Sequence, residues 1–113
     1  MALYFKTNVP EKLLAEFKKA IKEGRITTWS CDPDGDFTHS PDQWKNQAWF
    51  RPKADADQLV LYILKPKNIN LTTEIYAVYH GRFIESMLVH CDKLFTDSIA
   101  TALPAEGDNI SQD

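Results

Sequence analysis

The sequence predicts an α+β fold. The expected form is a two-layer sandwich, an antiparallel sheet of about four strands with two helices on one face, ordered β-α-β-β-β-α. Two observations lead there. Apolar residues recur with helical period in 8–25 and again in 72–97. Four shorter runs are rich in β-branched and aromatic residues. The length of 113 residues suits one domain, expected over 1–100 with a flexible acidic tail over 101–113.

The first strand is expected at 2–6 (ALYFK). In the helix that follows, Asn8 and Glu11 have capping-box spacing, and Pro10 falls in the first turn, where its missing N–H costs nothing. Leu13, Leu14, Phe17, Ala20 and Ile21 make one apolar stripe, and Gly24 ends it. Lys18, Lys19 and Lys22 lie opposite, diluted by Glu11, Glu16 and Glu23, and are expected to be a solvated face. A second strand is expected at 26–31 (ITTWSC). The segment 32–47 is expected to be irregular, with a tight acidic turn at 32–36 and one helical turn near Trp44. The third strand, near 48–51, should be closed by Pro52, with a polar turn at 53–57. The fourth, 59–64 (LVLYIL), is apolar on both alternating faces, as a central strand would be.

The stretch 72–97 organises the rest. As one amphipathic helix capped by Thr72 or Thr73, it gathers Tyr76, Phe83, Ile84, Met87, Leu88, Cys91, Leu94 and Phe95 on one face. His80 falls within that arc, while Arg82, Glu85, Ser86, Asp92 and Lys93 take the other side. Arg82 and Glu85 have the spacing of a helical ion pair. A rival reading makes 73–79 a strand that turns at His80 and Gly81. The long helix is preferred because Tyr76 and His80 continue the arc, although Gly81 in its interior costs about 1 kcal/mol against alanine.

Large apolar groups occupy both pleat registers of the expected sheet, and two helices can cover only one face. The leading expectation is therefore a non-enzymatic interaction or regulatory domain, a homo-oligomer or the partner of another protein. Its anchors would be Trp29, Trp44, Trp49 and Phe50. The competing expectation is that 32–47 folds back over the bare face.

An enzyme or small-ligand site is the alternative. Its pocket would lie between the 32–44 loop and the long helix, lined by His39, His80, Asp34, Asp36 and Trp44, with histidine as the acid–base group. The plainer reading of His80 is a core histidine satisfied by a backbone carbonyl or a tyrosine such as Tyr62.

Several functions are disfavoured. Asp32, Asp34 and Asp36 have calcium-loop spacing, but Gly35 precedes the third acid and Gln43 stands where a bidentate glutamate belongs. No HExxH or CxxC pairing supports a metal, and no glycine-rich loop supports a phosphate cofactor, so neither is expected. Cys91 lies on a core face, where a thiol is inert. A net charge of −3 argues against nucleic acid, although 48–53 (AWFRPK) could stack bases. No apolar run reaches membrane length. Two cysteines without a spacing motif and a start unlike a signal peptide lead to the expectation of a cytoplasmic protein.

Overall fold

The structure, a computed structural model, describes residues 1–67, 70–104 and 108. Strand β1 (Leu3–Lys6) leads into helix α1 (Pro10–Lys22), followed by β2 (Trp29–Cys31), β3 (Phe37–His39), β4 (Trp49–Ala54) and β5 (Gln58–Leu64). Helix α2 (Thr73–Cys91) continues through a 3₁₀ turn at Asp92–Leu94 into β6 (Asp97–Ala100). The chain is therefore α+β, and the described residues form two helices and one antiparallel sheet of six strands, not about four, in the order β2-β3-β4-β5-β1-β6.

Both additional strands come from stretches in which the sequence predicts no strand. β3 lies in the segment expected to be irregular. Asp32 makes the hairpin to it: its N–H bonds the Asp36 carbonyl at 2.8 Å, and its carboxylate accepts the Asp36 N–H at 2.8 Å. Gly35, at φ 88°, supplies the left-handed residue of that turn. β6 begins at Asp97, the last residue of the expected long helix, and runs through 98–100, to which the sequence assigns no element. Thr7 Oγ1 donates to the Leu94 carbonyl at 2.5 Å and Thr96 N–H to the Lys6 carbonyl at 2.8 Å, so the chain leaves the helix and pairs with β1. Phe95 kept the helical period but packs edge-on against Phe5, at 5.3 Å between centroids.

Other boundaries moved for local reasons. α1 is capped at Val9, without a side-chain bond, and begins with Pro10; Asn8 does not cap it, and Thr7 Oγ1 takes the Val9 N–H at 3.0 Å. Gly24 ends the helix at φ 79°. β4 runs through Pro52, because β3 pairs with β4 only at Phe37 and Phe50 and leaves the strand unpaired on that side beyond them. Thr72 caps α2 by accepting the Ile75 N–H at 3.1 Å, which settles 73–79 as helix. Thr101 N–H bonds the Ala2 carbonyl at 3.0 Å, and the Asp108 carboxylate accepts the Ile63 N–H at 2.9 Å. Of the expected flexible tail, 105–107 and 109–113 lie outside the described residues.

The core is aromatic. Phe83 of α2 stacks on Phe17 of α1 at 4.6 Å and meets Phe5, Trp29, Phe37 and Phe50 at 5.0–6.0 Å. Phe5, Phe37, Phe50 and Trp29 all belong to one pleat register, through the pairs Phe5↔Leu59, Phe50↔Ile63, Phe37↔Phe50 and Trp29↔His39. On α2 the buried set is Ile75, Tyr79, His80, Phe83, Ser86, Met87 and Cys91. The expected arc was rotated slightly: Tyr79 replaces Tyr76 as the buried tyrosine, Ser86 turns inward, and Leu88 is 50% exposed.

Tyr79 fastens the loop between β3 and β4. Its fully buried hydroxyl donates to the Trp44 carbonyl and lies 3.1 Å from Thr38 Oγ1. Thr38 in turn donates to the Ala48 carbonyl at 2.9 Å and accepts the Asn46 N–H at 3.3 Å, with Asn46 left-handed at φ 61°. Lys45 N–H bonds the Pro41 carbonyl at 2.9 Å, a single helical turn around Trp44. Removing the hydroxyl leaves the Trp44 carbonyl with only the Gln47 N–H at 3.2 Å, so Tyr79→Phe should cost about 0.5–1.5 kcal/mol, the net worth of one hydrogen bond, in urea denaturation. Gly81 is different. It lies in the helix without a positive φ, and a Cβ added there meets nothing within 4 Å. In dilute solution Gly81→Ala should therefore stabilise the chain by up to about 1 kcal/mol, read from the same curves.

Candidate functional site

Between the Trp44 turn and α2 lies a cleft of about 230 Å³, lined by Thr28, His39, Pro41, Trp44, Arg82 and Glu85. Two elements build it. The β2–β3 hairpin places His39 opposite Trp29, and the Tyr79 hydroxyl holds the Trp44 turn against α2. Arg82 and Glu85 stand on the flank of α2 beside it, 3.5 Å apart and more than half exposed.

The His39 ring is 4.8 Å from Trp29 and 5.9 Å from Tyr79 between centroids, and it is 4% exposed. Its Nδ1 is 2.8 Å from the Thr28 carbonyl. A carbonyl accepts only, so in the neutral ring Nδ1 carries the proton and Nε2 keeps its lone pair. Nε2 has no hydrogen-bond partner among the described residues, and it is not sealed from solvent, since the one buried unpartnered side-chain atom there is Trp29 Nε1. Burial pushes the His39 pKa below its ordinary value. The Thr28 carbonyl opposes that shift, Arg82 adds to it, and Glu85 opposes it. At neutral pH the cleft thus offers an acceptor at His39, a cationic donor at Arg82, an anionic acceptor at Glu85 and an indole wall at Trp44.

Of the expected pocket residues, His39 and Trp44 meet here, and the others lie elsewhere. His80 is a core residue whose Nδ1 faces the Tyr76 carbonyl and whose Nε2 faces the Met1 carbonyl at 2.5 Å. That is the core histidine of the plainer reading, set against backbone carbonyls in place of Tyr62, and the neutral ring donates its one N–H to one of the two. Asp36 is buried and holds Arg51 through two bonds of 3.1 and 2.9 Å, while Asp34 is exposed. Arg82 and Glu85 were visible in sequence only as an ion pair. Their place in the cleft depends on where 32–47 packs.

The expected interface anchors divide as well. Trp29 and Phe50 are 2% and 0% exposed, in the register that meets Tyr79 and Phe83, so they are core residues and not surface anchors. Trp44 lines the cleft, and Trp49 is half-buried in the other register, opposite Leu64.

A larger hollow of about 390 Å³ is bordered by Lys12, Glu16, His90, Cys91 and Asp92. Burial pushes the Cys91 thiol up to about 11, so it stays protonated and unreactive at neutral pH. Among the described residues no three histidine, cysteine or acidic side chains gather to hold a metal ion, and no helix is long and apolar enough to cross a membrane. No family model, curated protein or solved structure matches the chain.

Burial also pushes the His80 pKa below its ordinary value, against the opposing Tyr76 and Met1 carbonyls. For both histidines the unfolded chain then takes up a proton at higher pH than the folded one. Folding stability contributed by the two neutral rings is complete above about pH 7. It falls as pH drops through the unfolded value near 6.5, until the folded values are reached. Urea midpoints should therefore decline from pH 7.5 to pH 5.5 on this account. His39→Gln should flatten the decline, and a midpoint independent of pH would contradict the assignment.

Proposed function

We propose that the protein acts by association, holding a polar segment of a partner protein in the His39 cleft. One observation carries this reading. The imidazole is oriented by the Thr28 carbonyl so that its unpartnered Nε2 shares a cleft with Trp44, Arg82 and Glu85. A fitting occupant donates to Nε2 or Glu85, accepts from Arg82, and lays a flat face on the indole. A peptide or carboxamide group does all three. The cleft volume suits a side chain or a short backbone stretch better than a large cofactor, since ligand pockets usually span roughly 300–1,000 Å³.

Both helices contact the register that contains Phe5, Phe37 and Phe50, which supports the two-layer arrangement. The other register holds Trp49, Tyr62 and Tyr4, fringed by Lys6, Arg51 and Lys53. With Trp29 and Phe50 turned inward, the weight of the association reading moves from the sheet to the cleft. A reducing, cytoplasmic setting suits the free thiols of Cys31 and Cys91.

N-methylacetamide, titrated into the full chain and followed by ¹⁵N NMR, should shift the Trp44 indole N–H and the His39 ring nitrogens. His39→Phe and Trp44→Leu should each abolish the response. Shifts scattered over the surface would sink the proposal. A stronger response to acetate at the same signals would replace amide recognition with anion recognition by Arg82.

A further inference from the structure

The outer flank of α2 is not the polar face that its amphipathic reading expects. Val89 is 69% exposed and Leu88 50% exposed, and a hollow of about 270 Å³ lies along Ala77, Val78, Gly81, Arg82 and Glu85. Gly81 deepens that hollow. Neither backbone angle nor crowding within the chain requires a glycine there, yet the helix bears its cost. A missing side chain on the outside of a helix makes room for an atom from another molecule.

We propose that this flank binds a second copy of the chain, α2 against α2 in antiparallel, about a two-fold axis opposite the Phe83–Ile84 peptide. The distribution of charge selects that partner and that register. With the axis there, Arg82 faces Glu85 of the second copy and Glu85 faces its Arg82, so one contact is made twice, as an isologous interface requires. The same register sets Val78 against Val89 of the second copy, and both side chains are at least partly exposed in the single chain. Glu74, Ala77, Val78 and Gly81 have the i, i+3, i+4, i+7 spacing of a hole that receives a knob, and Val89 of the second copy is the knob. The parallel arrangement instead sets each charge beside its own copy, which is repulsive. The Arg82–Glu85 contact within one chain is long, at 3.5 Å, and exposed, so little is lost when each turns to the other copy. The inference is independent of what occupies the His39 cleft, although Arg82 and Glu85 border both.

Sedimentation equilibrium of the full chain, from micromolar to millimolar, tests it. The chain should form a dimer. Arg82→Glu and Glu85→Arg should each weaken it by about a hundredfold, since each creates two like-charge contacts across the axis. The double exchange should restore the dimer, because the pairs re-form with their signs reversed. Circular dichroism establishes that each variant is folded. A wild-type chain that stays monomeric at every concentration overturns the proposal. So does a double variant as weak as the single ones, or a dimer that survives Val89→Asp. Val89 lies outside the cleft, so monomeric Val89→Asp should still bind N-methylacetamide at Trp44, which separates failure of this inference from failure of the cleft reading.

Discussion

The position of Phe83 is the constraint on which the remainder of this structure rests. Its ring stacks on Phe17 and is surrounded by Phe5, Trp29, Phe37 and Phe50, so it joins both helices to strands β1 to β4. Aromatic pairs in such tilted and edge-on arrangements add about 0.5–1.5 kcal/mol each beyond the burial of their area. A ring held on so many sides leaves α2 little freedom to rotate. The rotation it does adopt turns Tyr79 toward the β3–β4 loop and leaves Arg82, Glu85 and Val89 outside.

The cleft follows from that rotation. Tyr79 sits one turn before Phe83 and reaches the Trp44 carbonyl, so the loop closes over the end of the β2–β3 hairpin. His39 is then fixed between Trp29 and the cleft, with one nitrogen used for position and the other left to act. His80, the histidine most conspicuous in the helical pattern, does the opposite work. Both of its nitrogens face backbone carbonyls, and its ring packs edge-on against Phe50 at 5.2 Å.

Local patterns revealed much of the fold. The stripe Leu13–Phe17–Ala20 with Pro10 and Gly24 marks α1, and the doubly apolar run of β5 marks a central strand, which it is, between β4 and β1. Short strands escaped for a physical reason. β3 is three residues, Phe-Thr-His, and β6 is Asp-Ser-Ile-Ala; neither alternates strongly enough to be told from a loop or a helix end. Their pairing with β2, β4 and β1 makes them strands, and pairing is a non-local property. The cleft was half legible: His39 and Trp44 were named for a pocket against α2, whereas Arg82 and Glu85 looked like an isolated ion pair.

By itself the sequence determined the α+β class, both helices, a threonine cap at 72 or 73, the acidic turn at Asp32–Asp36 and the inward Phe83 of α2, because each depends on neighbours a few positions away. Tertiary structure alone decided the sixfold sheet, the inward turn of Trp29 and Phe50, and the meeting of His39 with Arg82. Those outcomes depend on which pleat register the helices cover and where a long loop comes to rest. They arise from packing between residues far apart in the chain, which no local period records.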